Sequence, residues 1–243
     1  MHVIIPARYG ATRLPGKPLR EIAGRPLILR VHERACASGA ERVIVATDDA
    51  RVARVVEDAG GEVVMTASTH ASGTDRIAET IERVGLRDDE IVVNLQGDEP
   101  CMPPGLVAAV ARALEARADW GMATAARRMQ GAEAFRNPHQ VKVVCDNQGR
   151  ALYFSRAPIP WLRDPMASPD FLGHIGLYAY TAGFVRAFTA WGSCPLERRE
   201  GLEQLRALDR GAPIGVVVTE ADPGPGVDTE DDLAHANRVW RPL

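Results

Sequence analysis

Short apolar runs rich in β-branched residues alternate with amphipathic segments along the first 120 residues. Such runs predict strands, and segments with apolar positions three and four apart predict helices. The predicted strands read HVIIPA, RVIVATD, GEVVMT and DEIVVNLQ. The predicted helices read RPLILRVHERACAS, DARVARVVEDAG, TDRIAETIERVG and PPGLVAAVARALEA. Because strands joined and covered by helices are typical of a parallel sheet, this half predicts a doubly wound α/β fold.

The pattern changes after residue 120. GMATAARR, VKVVC and ALYFS predict strands, and DNQG between the last two predicts a hairpin turn. HIGLYAY and PIGVVVTE predict further strands, whereas PLERREGLEQLRALDRG predicts one helix and TEDDLAHANRVW the final helix. RAPIPWLRDPMASPDFLG predicts a long surface loop, since it is rich in proline and polar residues. We therefore predict a single Rossmann-like α/β domain over residues 1–243, with a mostly parallel central sheet and an antiparallel insertion.

Composition is that of an ordinary soluble globular protein. The chain has 243 residues, of which 46% are hydrophobic and 25% charged. Its formal net charge of -3 provides no overall basic field, so we expect no nucleic-acid partner.

Cysteine spacing and hydropathy bear on the compartment. Cys36, Cys101, Cys145 and Cys194 form no CxxC pair, which argues against a zinc site or a disulfide framework. No leader precedes the first predicted strand, and no apolar run approaches transmembrane length. We expect a cytoplasmic protein without membrane contact.

The loop after the first predicted strand reads PARYGATRLPGKPL and predicts an anion site. It is not a P-loop, because five residues separate its glycines and Pro18 follows Lys17. Arginine clamps phosphate oxygens and lysine supplies a point charge. Since Pro18 stiffens the segment, we favour a phosphate site formed by Arg8, Arg13 and Lys17 over three solvated surface cations.

Polar clusters also follow three other predicted strands. They contain Thr47, then Ser72 and Arg76, then Gln96 and Asp98. The carboxyl ends of parallel strands meet at one edge of a sheet, where ligands bind in open α/β folds. Four converging loops therefore predict a binding site at that edge.

Two carboxylates are predicted to hold a hard cation. Asp98 follows a buried strand, where an unpartnered carboxylate would be costly, and one or two carboxylates are the usual protein ligands of Mg2+. The proposed second ligand is Asp228, although GVDTEDDL also reads as a helix start with Thr229 and Asp232 as a capping box. We interpret Glu99 as a turn charge.

Strand parity separates the two faces of HIGLYAY. His174 and Tyr178 share one face, and Ile175, Leu177 and Ala179 share the other, which predicts a polar ring surface opposite the core. In the helix predicted for PLERREGLEQLRALDRG, apolar positions form the buried stripe. Glu200, Glu203 and Gln204 lie beside it and, taken by themselves, read as a solvated helix face.

Together these stretches resemble a known family. PARYGATRLPGKPL, ATDD, SGTDR, NLQGDEP, YFSRAPIPW, HIGLYAY, PLERREGLEQLRAL and PGVDTEDDL occur in an order similar to that of the 3-deoxy-manno-octulosonate (KDO) cytidylyltransferases. Sialic-acid cytidylyltransferases share the fold and a related first loop, but not YFSRAPIPW or LEQLRAL. The resemblance implies a homodimeric Mg2+-dependent enzyme that joins CTP to KDO and releases pyrophosphate. It also implies a nucleotide-binding half, 1–120, and a sugar-binding and dimerisation half, 121–243.

The resemblance also implies roles for individual residues. Arg8 and Lys17 would bind the CTP phosphates with help from Arg13 and Arg76, and Thr47, Ser72 and Gln96 would line the cytidine pocket. Asp98 and Asp228 would hold Mg2+. Lys17, Asp98, Asp228 and Arg8 would be the catalytic set, and Arg156, His174, Tyr178, Glu203 and Gln204 would bind KDO. Two alternatives stay open, namely a cytidylyltransferase for another acid sugar and a catalytically silent nucleotide-binding protein.

Overall fold

Strands joined by helices form the first half, as predicted, in a computed structural model that describes residues 1–10, 13–117, 119–164 and 168–242. Within these residues the strands are β1 (His2–Ala7), β2 (Glu21–Ile22), β3 (Arg25–Pro26), β4 (Arg42–Thr47), β5 (Glu62–Met65), β6 (Ile91–Asn94), β7 (Met122–Gln130), β8 (Lys142–Cys145), β9 (Ala151–Ser155), β10 (Asp170–Thr181) and β11 (Ile214–Thr219). The α-helices are α1 (Leu27–Cys36), α2 (Ala50–Asp58), α3 (Gly73–Val84), α4 (Pro104–Glu115), α5 (Ala132–Arg136), α6 (Ala182–Ala190), α7 (Pro195–Glu200), α8 (Leu205–Asp209) and α9 (Glu230–Val239).

One nine-stranded mixed sheet runs through both halves of the chain. Its main path is β11-β7-β10-β6-β1-β4-β5, with β8 paired to β10 and β9. The pairs β1–β4, β1–β6, β4–β5 and β11–β7 are parallel. The pairs of β10 with β6, β7 and β8 are antiparallel. The predicted fold class, a mostly parallel sheet with an antiparallel insertion, is confirmed.

The core lies on both faces of this sheet. Ile5 of β1 packs in one apolar cluster with residues of α1, α2, α4 and α9, whereas Ile4 packs in the other with residues of α3, α6 and α8. Neighbouring residues of β1 are fully buried on opposite faces, which is why this strand reads as a continuous apolar run rather than an alternating one.

The prediction of one helix over PLERREGLEQLRALDRG is wrong. Helix α7 ends before Gly201, which has a left-handed φ of 61°, and α8 begins only at Leu205. Glycine adopts this conformation without a Cβ penalty, so it ends the first helix. Leu202 and Leu205 are buried, and the connection between the helices turns Glu203 and Gln204 toward the protein interior.

The other local predictions of the second half are largely confirmed. Strands β8 and β9 form the predicted hairpin, and α9 begins with the predicted capping box of Thr229 and Asp232. The predicted proline-rich loop is shorter than expected, because Asp170 already pairs with β7. Residues 165–167, part of that loop, lie outside the described residues. Across the described ranges, no helix has the length and apolar character needed to cross a membrane.

Candidate active site

A cleft of about 340 Å³ opens at the carboxyl ends of β1 and β6. It brings together most of the nucleotide and metal residues predicted from the sequence: Arg8, Arg13, Lys17, Ser72, Arg76, Gln96, Asp98 and Asp228. Three of the four loops predicted to converge at this sheet edge line the cleft, and the segment with Asp228 joins them, whereas the loop after β4 does not line it.

The first loop is held in shape by a short 3-10 turn over Lys17–Leu19. Gly16 precedes the turn with a left-handed φ of 67°, and the Pro18 ring is buried. A Cβ at Gly16 would lie 3.0 Å from the Tyr9 hydroxyl, so the glycine also permits close packing. This rigid backbone directs Lys17 into the cleft, as the position of Pro18 in the sequence suggested.

Lys17 joins the two predicted metal ligands. Its Nζ donates to Asp98 Oδ2 at 2.7 Å and to Asp228 Oδ1 at 2.9 Å. Arg13 donates to the other oxygen of Asp228, also at 2.9 Å. Although burial acts in the opposite direction, these cations hold the pKa of Asp228 below its ordinary value.

The two carboxylates fit a hard cation because their oxygens converge on one point. The same Nζ lies within 3 Å of both, so a cation of similar position would contact both. No group of three or more His, Cys, Asp and Glu side chains suited to a metal occurs in the part of the chain described here. A site with two carboxylates suits Mg2+, which keeps water and phosphate oxygens as its other ligands.

Glu99 follows the turn after β6, as predicted, but its surroundings disfavour the charge that we assigned to it. Burial, followed by repulsion from Asp98 and Asp228, raises its pKa to about 8. Its Oε1 would lie 3.1 Å from a Cβ on Gly226, so the side chain faces the segment that carries Asp228. The proximity of Glu99 to Asp228 could not be predicted from the sequence, because the two residues are about 130 positions apart.

Arg76 lines the cleft, yet its guanidinium has protein partners. It is only 4% exposed, and it donates to Asp48 at 3.0 Å and to the Thr66 hydroxyl. Arg76 thus ties α3 to the ends of β4 and β5. Its predicted phosphate contact stays a prediction, and its observed contacts are those of a positioning residue.

The two hydroxyl residues predicted for the cytidine pocket differ in position. Ser72 lines the cleft and caps α3, accepting from the Asp75 backbone N–H at 3.1 Å. Thr47 is fully buried, and its hydroxyl accepts from the Asp49 backbone N–H at 3.3 Å. The structure therefore places Thr47 behind the cleft rather than among the residues that line it.

A chain of polar side chains leads from the cleft into the second half. Gln96 Nε2 donates to Asn94 Oδ1 at 3.2 Å. Asn94 and Thr74 both oppose the rise that burial causes in the pKa of Tyr180, which places its hydroxyl near them. The Thr74 hydroxyl donates to Glu203 Oε2 at 2.6 Å. Burial raises the pKa of Glu203 despite that hydrogen bond. The predicted nucleotide residue Gln96 is thus connected to the predicted sugar residue Glu203 within the protein.

His174 and Tyr178 form the predicted ring pair. Their ring centroids are 5.5 Å apart, and His174 Nε2 lies 3.0 Å from the Thr124 hydroxyl. Burial lowers the pKa of His174 to about 3, so its imidazole is neutral at physiological pH. Burial and the nearby Glu203 raise the pKa of Tyr178. Both rings are therefore neutral hydrogen-bonding groups.

Gln204 has a buried side-chain amide nitrogen that lacks a hydrogen-bond partner among the described residues. Its side chain is 3% exposed, and its Nε2 has no hydrogen-bond acceptor in the described ranges. Buried amide groups are nearly always paired, so an unpaired one requires an explanation such as a bound ligand. This burial contradicts a solvated helix face, and the predicted contact of Gln204 with the sugar stays a prediction.

Arg156 lies beside this region without lining the cleft. Its guanidinium donates to the backbone carbonyls of Glu200 at 2.6 Å, Pro138 at 3.0 Å and Gly201 at 3.4 Å. The Glu200 carboxylate in turn accepts from Ser155 at 2.6 Å. Arg156 thus braces the turn that precedes Glu203, and its contact with KDO stays a prediction.

Sequence reasoning missed His70 as a cleft residue. His70 lines the cleft, and its Nε2 lies 2.5 Å from Glu79 of α3. Glu79 also accepts from the Ala67 backbone N–H at 2.8 Å. The signal was present in the stretch THASG, since a histidine just after a parallel strand lies at the ligand edge of the sheet.

The fold and the cleft define an α/β enzyme that handles a nucleotide, and the comparison with protein families agrees. Residues 2–214 match the family described as Cytidylyltransferase. The chain belongs to this family, and within it to the 3-deoxy-manno-octulosonate cytidylyltransferases, as the sequence predicted.

Similar relatives cover nearly the whole chain. The 3-deoxy-manno-octulosonate cytidylyltransferase of Hahella chejuensis is 54% identical over 245 residues, covering 98% of this chain and 96% of the relative. The protein of that name from Yersinia enterocolitica is 55% identical over 242 residues, covering 97% and 96%.

Solved structures support the fold. A CMP:2-keto-3-deoxy-manno-octonic acid synthetase complexed with CTP has a TM-score of 0.91 and 40% identity, covering 98% of this chain and 96% of the other. A cytidylyltransferase from Leptospira borgpetersenii has a TM-score of 0.62 at 15% identity, covering 95% and 82%, and shows likeness of fold alone.

Proposed function

We propose that this chain transfers CMP from CTP to KDO, forming CMP-KDO for lipopolysaccharide synthesis and releasing pyrophosphate. The observation that carries the proposal is the convergence of Lys17, Asp98 and Asp228, joined at 2.7 and 2.9 Å in the cleft. Relatives 54% and 55% identical are named for this activity.

The cleft side chains suit a nucleoside triphosphate. Arg8, Arg13 and Lys17 bring cationic donors to one side, where the triphosphate would lie. Ser72 and Gln96 line the same cleft and would face the cytidine. Asp98 and Asp228 would hold Mg2+, which when bound neutralises phosphate charge and polarises the reacting oxygens.

The acceptor sugar would bind on the side of the cleft that leads to His174, Tyr178, Glu203 and Gln204. The unpaired Gln204 amide and the neutral His174 imidazole suit the hydroxyl groups of a sugar. Arg156 holds the backbone around these residues and would add positive charge near the KDO carboxylate.

The reaction needs positioning and charge neutralisation from the chain. The 2-hydroxyl oxygen of KDO forms a bond to the α-phosphorus and its proton is released to water. The bond from that phosphorus to the β-phosphate bridge breaks, and pyrophosphate leaves with the electron pair. Lys17 and the arginines of the first loop would stabilise the charge on the leaving group.

The assembly and compartment are also part of the proposal. We infer a cytoplasmic homodimer, in which the exposed apolar side chains of Leu152 and Trp161, at 56% and 81%, would be candidates for burial. Light scattering of the purified protein would test it, with the monomeric mass as the contrary result.

The activity is tested by pyrophosphate release with Mg2+ over a grid of four nucleoside triphosphates and three acid sugars. We expect turnover only with CTP and KDO together. Turnover with CTP and another sugar would mean that the nucleotide site is assigned correctly and that the specificity of the acceptor residues is not. CTP binding without any turnover would support a silent nucleotide-binding protein instead.

Gln204→Ala is predicted to raise the KM for KDO about tenfold, the effect of one lost hydrogen bond, while leaving the KM for CTP unchanged. Steady-state kinetics with each substrate varied in turn measure this split. Gln148→Ala, at an exposed glutamine of the β8–β9 turn, is the matched control and should change neither value. A change confined to the KM for CTP would contradict the placement of Gln204.

A further inference from the structure

The ammonium group of Lys17 lies where a divalent cation would have to bind. It donates to one oxygen of Asp98 at 2.7 Å and to one oxygen of Asp228 at 2.9 Å. Arg13 donates to the second oxygen of Asp228 at 2.9 Å. Three of the four carboxylate oxygens thus accept from a cation of the chain itself. The Lys17 side chain is only 15% exposed, whereas Asp98 and Asp228 are 30% and 48% exposed, so the ammonium is enclosed while the carboxylates face the cleft.

The residue type fits such a position. Of 29 basic residues only two are lysines, Lys17 and Lys142, and all others are arginines. A lysine ammonium is a compact point charge with three donors on a flexible stem, whereas a guanidinium is a planar fork. Lysine can therefore sit between two carboxylates and also swing to another partner.

We propose that Lys17 occupies the metal position while the nucleotide is absent and moves to the phosphates when CTP binds, so that CTP and the metal bind cooperatively. This inference rests on the proposed function, because it assumes that Asp98 and Asp228 hold the metal and that the first loop binds phosphates.

The physical reason is competition for the same oxygens. A divalent cation that enters without nucleotide must remove Lys17 from two carboxylates and leave it without a partner. The triphosphate provides Lys17 with new acceptors and provides the metal with further oxygen ligands. CTP and the metal therefore both bind more favourably when Lys17 is on the phosphates than when it is on the carboxylates. This difference couples the two binding equilibria, and each ligand raises the affinity for the other by the same factor.

The first test measures Mn2+ binding to the nucleotide-free protein by electron paramagnetic resonance of the unbound ion. We expect Lys17→Met to bind Mn2+ about tenfold more tightly than the unmodified chain, within the usual range of coupling factors. Lys17→Gln should act in the same direction if the methionine variant fails to fold. Asp98→Asn should lose the site.

The matched control is Arg20→Met, which removes the cation directly after the first loop. Arg20 pairs with Glu230 at 2.6 Å and not with either carboxylate of the site. Its Mn2+ affinity should equal that of the unmodified chain. An equal gain in Arg20→Met and Lys17→Met would mean that overall charge decides the affinity, and would overturn the proposal.

A second test follows Lys17 itself. Because the chain has two lysines, protein labelled with 13C at lysine Cε gives two signals, and Lys17→Met assigns them. CTP added in EDTA should move the Lys17 signal and leave that of Lys142 in place. If CTP does not shift the Lys17 signal, the proposed movement of Lys17 to the phosphates is wrong.

The outcomes separate this inference from the function on which it rests. If Asp98→Asn loses Mn2+ binding but Lys17→Met binds Mn2+ no more tightly than the unmodified chain, the proposed movement of Lys17 is wrong and the metal site stands. If Asp98→Asn binds Mn2+ like the unmodified chain, the metal assignment itself is wrong and the proposed movement falls with it.

Discussion

Asp98→Asn is expected to lower kcat on the order of 10²- to 10³-fold, the cost of removing one preorganised electrostatic group from a reacting site. The change keeps the size of the side chain but removes the charge that converges with Asp228 on one point. CTP binding in EDTA should persist, since the cations of the first loop remain. Pyrophosphate release at saturating substrates measures the first effect, and calorimetry in EDTA measures the second.

The control for this variant is Asp231→Asn, the same chemical change at an exposed carboxylate in the first turn of α9. It should leave both kcat and CTP affinity unchanged. If Asp98→Asn kept most of its rate under limiting Mg2+, the assignment of Asp98 as a metal ligand would be wrong.

The fold was largely predictable because its signals are local. The buried run of β1 and the amphipathic α3 each specify their element within about ten residues, and the capping box at Thr229 marks a helix start. The break at Gly201 was missed because an isolated glycine inside a helical pattern can be tolerated. The left-handed Gly201 ends the helix there, and the burial of Leu202 and Leu205 beyond it depends on tertiary packing.

The site was predictable as a set of loops but not as a set of contacts. Strand ends identify which residues meet at the sheet edge, so Lys17 and Asp98 were found from the sequence. That Lys17 also bonds Asp228, 211 residues away, depends on the whole fold. The same holds for Arg76, whose partner Asp48 comes from another strand end, and for Gln204, whose burial depends on the break before α8.

Lys142 is a buried lysine that hydrogen-bonds backbone carbonyls in the second half of the chain. Its side chain is fully buried, and its Nζ donates to the backbone carbonyls of Asn137 at 3.0 Å, Gln140 at 2.7 Å and Arg156 at 2.6 Å. Burial lowers the pKa of this ammonium, because desolvation disfavours its charged form. A cation in this position links the 137–140 loop to the segment that carries Arg156.

Lys142→Met is therefore expected to reduce the free energy of unfolding by about 3 kcal/mol, because the part-buried carbonyls of Gln140 and Arg156 lose this donor and that of Asn137 keeps only the Gln140 N–H. Urea unfolding followed by circular dichroism measures the change. Arg54→Met is the control, since Arg54 is 83% exposed and pairs with Asp58 at 3.7 Å, and it should change stability by less than about 1 kcal/mol. If Lys142→Met were equally mild, the desolvation cost of the ammonium would offset its three hydrogen bonds. Lys142 would then serve to position the Arg156 segment rather than to stabilise the fold, and a raised KM for KDO in the same variant would measure that role.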